Sequence, residues 1–443
     1  MSAVTLSTGL LHALSRHFFL VDLMVYEFQA VILAGGRSGL YPLLVDCAKS
    51  MLPLANKPML YYQLELLERS GISEAIVACD EKNVVEITKY VTEVYQGHIL
   101  VSIHATNVEG TADVLRSLKD KIKTGFFVIS GDVVTERSLH DLADVHRIRD
   151  SSVTMLLKEY KDTHLKEQRL KLRKLSKEVI HYFGLVWDEK DSRSRHAQVV
   201  LMKSASEDDR IGLSKRLLRK EPNMSLHTNL VDGHIYIFRR WVLDFLCFDE
   251  RVKSHVSLRT DFIPFMVNHE IPEDYSLVKP ETFMLADSMS SFHHNKKTHM
   301  KCHALVLPDS AYCSRANTLY GYSSMNHDLV TMPIASTTLW DRTPVSSKHK
   351  ETIIGEFTQV DESASLKSCV IGAHCKILAG AKLNNSVIMN HCTIGVDAVI
   401  QNSIISNDCT IEDKCNLNDV QVASQSKISS GRYKNQAILA SNF

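Results

Sequence analysis

Towards its end the chain carries apolar residues at a period that neither a helix nor an ordinary strand produces. They fall at Ile354, Val360 and Leu366, at Ile371, Ile377 and Leu383, at Ile388, Ile394 and Ile400, at Ile405, Ile411 and Leu417, and then at Val422. The steps are six, six and five residues, a repeat of 17 over four rungs. Two positions before most of them stands a small residue: Thr358, Ala364, Cys375, Ala381, Cys392, Ala398, Cys409 or Cys415. A large inward residue near each corner, preceded by a small one in the adjoining inward slot, predicts a triangular left-handed parallel β-helix. Its rungs stack on one another and bury a continuous column. Four cysteines are thereby assigned to the core as small fillers. Val370, Val387 and Ile404 are expected on an outer face, where they would invite a partner subunit.

Upstream the pattern alternates between short apolar runs and helical spacing. Ala30–Leu33 reads as a buried strand. Pro58–Gly71 reads as a helix, with proline in the first turn, apolar Leu60, Leu64 and Leu67, and glycine just past the end. Strands at Glu74–Cys79, Ile99–Ile103 and Phe126–Ser130 alternate with helices at Asn83–Tyr95 and Ala112–Leu118, which predicts a doubly wound α/β domain. His227–Phe238 returns to strand and Trp241–Phe248 to helix. The charged runs Lys158–Lys177 and Glu207–Lys220 interleave acids with bases and read as solvated. The expected domains are a nonessential extension at 1–26, an α/β domain at 27–280, a linker and bridging segment at 281–350 and the coil at 351–443. Residues 286–300 and 326–350 are irregular, with Tyr312–Asn317 bridging the domains between them.

Composition adds exclusions. The chain has 443 residues, with 51 Lys and Arg against 51 Asp and Glu, so no global basic field draws in nucleic acid. Ten cysteines without a CxxC pair argue against zinc and for a reducing compartment. No apolar run reaches the roughly 18–20 residues that cross a bilayer. In residues 1–26, Asp22 interrupts any clean presequence, Met24 offers an alternative start, and organelle targeting is the lesser alternative.

The stretch that concentrates chemistry is Phe28–Leu60. Its strand breaks at Gly35-Gly36, a pair that lets backbone N–H groups approach an anion closely. Lys49 and Leu52-Pro53-Leu54-Ala55-Asn56-Lys57-Pro58 follow. This order resembles the opening of the sugar-nucleotide pyrophosphorylase, or nucleotidyltransferase, superfamily, whose loop reads G-G-x-G-T-R-L-x-P-L and is followed by P-K-P. Here the loop is Gly35-Gly36-Arg37-Ser38-Gly39-Leu40-Tyr41-Pro42-Leu43, one residue shorter. Gly39 holds the place of the arginine, and P-K-P has become Ala48-Lys49-Ser50. In that family loop amides, an arginine and a metal stabilise charge developing on pyrophosphate. A deletion in a tight loop redirects every following side chain, where ~1 Å matters.

The resemblance also bears on later positions. Gly110-Thr111-Ala112 is similar to a family G-T-A that lines the nucleotide pocket at a helix start; an ordinary helix cap is the equal alternative. Gly131-Asp132 matches the position where the family's aspartate binds Mg²⁺, against the plain alternative of a turn former. The family's second aspartate, in a W-x-D-x-G turn, has no match. Its Glu-Lys-Pro is replaced by Lys220-Glu221-Pro222, in the wrong order. Asp232 is expected at a strand end rather than in catalysis, His293 and His294 in solvent, and His374 and His391 in outward turns rather than as acyltransferase bases. No catalytic residue and no metal site are therefore expected. Gly35, Gly36, Lys49, Gly110, Thr111 and Asp132 remain as a vestigial nucleotide site that would take GTP or ATP if any ligand.

Such a domain followed by a β-helix fits two groups. One comprises active pyrophosphorylases making GDP-mannose or ADP-glucose. The other comprises the gamma and epsilon subunits of translation initiation factor 2B, the guanine-nucleotide exchange factor for initiation factor 2. EFQAVILAGG, HTNLVDGHIYIF and YCSRAN resemble the gamma group. Epsilon members add a helical-repeat domain that carries the exchange activity, and about twenty residues after the last clear rung leave no room for one here. The resemblance implies a cytosolic, non-catalytic member of a hetero-oligomer, with the epsilon and other factor 2B subunits and initiation factor 2 as partners.

Overall fold

The computed structural model describes residues 27–36, 39–45, 47–108, 110–160, 181–187, 195–204, 212–269, 300–331, 349 and 351–438. The extension 1–26, Arg37, most of the first charged run, the start of the second, His293, His294 and most of the two irregular stretches lie outside them. The chain forms two compact units, one of 1–109, 128–139 and 311–443, the other of 110–127 and 140–310. This division cuts across the expected boundaries, because the coil groups with the first strands.

In the first unit Phe28–Leu33 pairs in parallel with Glu74–Asp80, which pairs in parallel with Leu100–Thr106. Gly125–Ser130 lies on the other side of the first strand. The helix between the first two strands runs Met59–Arg69 and buries Leu60, Leu64 and Leu67. It stops where glycine allows a left-handed turn. Gly71 has φ +69°, its N–H donates to Glu68 O at 3.0 Å, and the Ile72 N–H donates to Leu67 O at 3.0 Å. The second predicted helix is broken: Val84–Lys89 is α-helical, and then the Tyr95 N–H reaches back five residues to Tyr90 O at 2.9 Å.

The C-terminal coil is a left-handed parallel β-helix. Ile371, Ile388, Ile405 and Val422 stack in register on one side, and Leu366, Leu383, Ile400 and Leu417 on the second. Ile377, Ile394, Ile411 and Ile428 stack on the third. Cys375, Cys392, Cys409 and Cys415 are wholly buried in that column, as are Ala381 and Ala398. Corners are turned by residues with left-handed φ, such as Asn385 (47°), Asn402 (48°) and Asp419 (55°). Asn and Asp tolerate that region best after glycine. His374 and His391 occupy another corner, exposed, with their rings stacked 5.0 Å apart. Beyond the last apolar position of the repeat, Val422, the coil continues through Lys427–Ile428 and a closing strand, Arg432–Ile438, parallel to Asn416–Val422.

The expectation for the outer face is corrected. Val370, Val387 and Ile404 are only 4%, 5% and 3% exposed. The helix Leu319–Thr331 packs on the Val370–Ile371 strand, and the Asn56 amide donates to Ile371 O at 2.7 Å. That helix is itself tied to the hairpin at Pro53–Pro58: Tyr322 Oη donates to Pro53 O at 2.5 Å, and the Ala55 N–H to Asn326 Oδ1 at 2.9 Å. Upstream segments thus lie against the first of these strands, and all three side chains are buried within the chain, so they offer no apolar face to a partner.

The second unit departs from a doubly wound plan. Its strands run Ser225–His227, His181–Trp187, His196–Ser204, Cys302–Leu307, Val153–Glu159 and Leu230–Phe238 in spatial order. All neighbours are antiparallel except Cys302–Leu307 with Val153–Glu159. Arg240–Phe248 forms the expected helix. Of the second charged run, Lys215–Lys220 is an exposed helix capped by Ser214, whose Oγ accepts the Leu217 N–H at 3.1 Å. No helix among the described residues is long and apolar enough to cross a membrane.

Candidate functional site

The first strand ends at Leu33 and leads into the glycine pair. A Cβ on Gly35 would sit 2.8 Å from Asp80 Oδ1 and displace that side chain, and Gly36 has φ +98°, which favours glycine, with open space where its Cβ would be. The loop beyond is fastened at its far side. Leu40 and Leu43 are buried, and the Gly39 N–H donates to Asn317 O at 3.0 Å. Lys49 opens a single 3₁₀ turn, Lys49–Met51, that returns the chain towards the sheet.

Asp132 reaches the same place from another direction. The strand Gly125–Ser130 ends in Gly131, whose N–H donates to Leu33 O at 2.9 Å. A Cβ on Gly131 would lie 3.0 Å from both Ala34 Cα and Leu33 O. The close backbone approach therefore needs glycine. The Asp132 side chain is fully buried.

Its carboxylate is already engaged. Oδ2 lies 2.5 Å from Lys49 Nζ, and Arg315 Nε lies 2.9 Å from both Oδ1 and Oδ2. Ser130 Oγ donates to Oδ1 at 2.5 Å. Lys49 also donates to Asn317 Oδ1 at 2.8 Å. Burial alone would raise the Asp132 pKa, but Arg315 and then Lys49 outweigh it and hold the group well below the usual carboxylate range. Burial pulls Lys49 down, with Asp132 opposing and Arg315 assisting. Arg315 and Asn317 come from YCSRAN. Its strand Cys313–Arg315 pairs antiparallel with Val133–Thr135, and the Ala316 N–H donates to Asp132 O at 2.9 Å.

Of the residues expected in a nucleotide site, Lys49 and Asp132 touch, and Gly131 places Asp132 against the start of the Gly35 loop. Gly110 and Thr111 belong to the other unit. There Thr111 Oγ1 accepts the Leu258 N–H at 2.8 Å, and the Ala112 N–H donates to Val256 O at 2.9 Å. A Cβ on Gly110 would meet Val256 Cγ1 and O at 2.5 Å. This short helix start is filled by its own neighbouring loop, in the manner of an ordinary cap. Asp232 is also structural in its contacts. It accepts from Tyr236 Oη at 2.5 Å and from the His234 N–H at 2.8 Å, at a shift of register in its strand. Lys220 sits exposed at the end of the Lys215–Lys220 helix. The residues that sequence reasoning missed are Arg315, Asn317 and Ser130. YCSRAN was visible as a motif, but nothing in its spacing pointed to an aspartate 183 residues earlier.

Comparison with known proteins agrees with this division of features. The Nucleotidyl transferase family model matches residues 29–167, and that of the GMPPB C-terminal domain matches 349–442. The mannose-1-phosphate guanyltransferase of Saccharomyces cerevisiae is 30% identical over 134 residues, 29% of this chain and 37% of that protein. Translation initiation factor eIF2B subunit gamma of Schizosaccharomyces pombe is 29% identical over 351 residues, 77% of this chain and 72% of that protein. The same subunit of Dictyostelium discoideum is 31% identical over 339 residues, 68% of this chain and 75% of that protein. With a nucleotidyltransferase-like α/β region, a β-helix behind it and this extent of likeness, the chain belongs to the family of translation initiation factor eIF2B gamma subunits.

Proposed function

We propose that this chain is a non-catalytic, architectural subunit of the eIF2B complex. It holds the epsilon subunit, with the remaining regulatory subunits, while epsilon promotes GDP/GTP exchange on initiation factor 2 in the cytosol. The observation that carries the non-catalytic reading is the state of Asp132. A carboxylate that already accepts from two cationic side chains has less charge left with which to gather a metal and a nucleotide phosphate in turnover. Arg315 and Lys49 occupy both of its oxygens. The shortened loop adds to this, since Gly39 stands where the family places its arginine.

Two measurements test the proposal. Full-length chain is incubated with GTP or ATP, mannose 1-phosphate or glucose 1-phosphate, and Mg²⁺, and pyrophosphate release is followed; none is expected. Tagged chain is also recovered from cytosol and its associated proteins are identified by mass spectrometry. The other eIF2B subunits are expected, and a clean homo-oligomer that turns over sugar phosphate would establish the pyrophosphorylase alternative instead.

A further inference from the structure

One side of the coil carries bases and no acid at its outward positions. Its strands Ser365–Lys367, Lys382–Asn384, Val399–Gln401 and Asn416–Val422, with the closing strand Arg432–Ile438, stack in parallel register. Leu366, Leu383, Ile400, Leu417 and Tyr433 face the column, so the residues on either side of each point outward. One outward row reads Lys367, Asn384, Gln401, Asn418 and Lys434. The row beside it adds Lys382 and Arg432, and its remaining members are neutral. All four bases are exposed, and among the described residues none lies within ion-pair distance of an acid. On the neighbouring side, by contrast, Lys427 Nζ lies 3.2 Å from Glu412 Oε1.

We infer that this side of the coil is a docking surface for an extended acidic segment of a partner protein. Paired strands lie about 4.8 Å apart, so Lys367 and Lys434, four steps apart, stand roughly 19 Å from one another. An extended chain covers that distance in about six residues. Two acidic pairs at that spacing meet Lys367 with Lys382 at one end and Arg432 with Lys434 at the other. Asn384, Gln401 and Asn418 between them offer donors and acceptors to the intervening backbone. The corners of the coil narrow the choice of partner. Glu362, Asp397 and Asp413 stand exposed along one corner, beside Lys414, and Asp419 stands exposed on the other. An anionic lipid surface is too broad to reach the bases without meeting these acids, whereas a single strand of peptide fits between them. The outward rows hold no aromatic ring on which the bases of a single-stranded RNA would stack. A flat side with almost no apolar group suits a weak, reversible contact that charge steers.

The test uses full-length chain and a fluorescein-labelled peptide of two glutamates, four serines and two glutamates. Binding is followed by fluorescence anisotropy at about 20 mM and about 200 mM salt. The comparison probes are a peptide of the same composition with its four glutamates adjacent, oligouridylate, and phosphatidylserine vesicles. The split peptide is expected to bind at low salt more tightly than all three, and to weaken as salt rises. Lys367→Ser with Lys382→Ser, and separately Arg432→Ser with Lys434→Ser, should each weaken it by about tenfold, the scale of two exposed ion pairs. Lys427→Ser, on the neighbouring side, should leave it unchanged. All five positions are exposed, and unaltered thermal melts separate a loss of binding from a loss of fold. The inference is overturned if the split peptide fails to bind at millimolar concentration in low salt, or binds no better than the adjacent-glutamate peptide. Tighter binding of oligouridylate or vesicles, an affinity that neither double variant changes, or an equal loss in Lys427→Ser would overturn it as well.

Discussion

Asp132→Asn is the substitution that most directly probes the cluster, because it keeps the side-chain volume and removes the charge. In the folded chain it leaves the Lys49 ammonium, 10% exposed, and the Arg315 guanidinium, 27% exposed, facing a neutral amide. Removing one partner of a buried ion pair leaves its counterpart desolvated and uncompensated, typically at about 3–5 kcal/mol. Burial of Asp132 and Lys49 places this case in that range rather than near the 0–1 kcal/mol typical of surface pairs. The sign over pH follows from the depressed carboxylate. Its stabilisation is fully present above the unfolded Asp value, about 3.9, and is lost as pH falls through the lower folded value. The loss in Asp132→Asn should therefore be flat from pH 5 to pH 8.

The assay is urea unfolding of full-length chain, followed at the transition of the unit that contains the coil. The control replaces all three members, Asp132→Leu with Lys49→Met and Arg315→Met. A well-packed apolar trio restores much of the stability, since replacing a whole buried ion cluster is often neutral. If Asp132→Asn falls within about 0.5 kcal/mol of the unsubstituted chain, the ordinary surface range, the carboxylate is not clamped and the reasoning fails. A triple variant no better than the single one would also refute it, because the loss would then come from volume or backbone rather than unpaired charge.

His146 and His303 predict acid sensitivity in the other unit. Burial lowers them to about 3 and about 4, where each lies against a hydroxyl, Thr154 or Ser151, at 2.8 Å. Between pH 7 and pH 5 the unfolded chain takes up protons that the folded unit refuses. Stability should fall by about 2 kcal/mol for each histidine, measured by denaturant titration at each pH. Cys392→Leu overfills a wholly buried slot of the coil and should destabilise it by about 1–3 kcal/mol, whereas Cys392→Ala stays closer to the unsubstituted chain; thermal melts separate the two. In Gly131→Ala the new Cβ meets backbone at 3.0 Å on two sides, so a loss of about 1–3 kcal/mol is expected on the same melts. His374→Ala removes an exposed ring stack and places alanine at a left-handed corner, φ 57°, so a loss of about 1 kcal/mol or less is expected on the same melts.

How far the fold could be read depended on whether the determining contacts were local or repeated. The coil was legible because each inward position recurs on the next rung. A large residue at one level meets its equivalent 17 residues on, as Ile371 meets Ile388 and Ile388 meets Ile405. That periodicity says which side chains face the column and nothing of what covers its outside. Val370, Val387 and Ile404 looked free for this reason, yet all three are buried, and at the Val370–Ile371 strand the contacts come from Asn56 and the Leu319–Thr331 helix, far upstream. The helix end at Gly71 was legible because one residue's φ decides it. The two glycine starts, at Gly35 and Gly110, looked alike for the same local reason. They differ only through tertiary neighbours: Val256 closes on Gly110, whereas the space around Gly36 stays open. Lys49 and Asp132 could each be singled out from residue type and position after a turn or strand. Their mutual neutralisation could not, because the deciding residue is Arg315. A short strand pairing with Val133–Thr135 delivers it, and no spacing rule connects the two segments. The site's chemistry thus turns on one long-range contact, and a motif that preserves lysine and aspartate is silent on whether they face a ligand or each other.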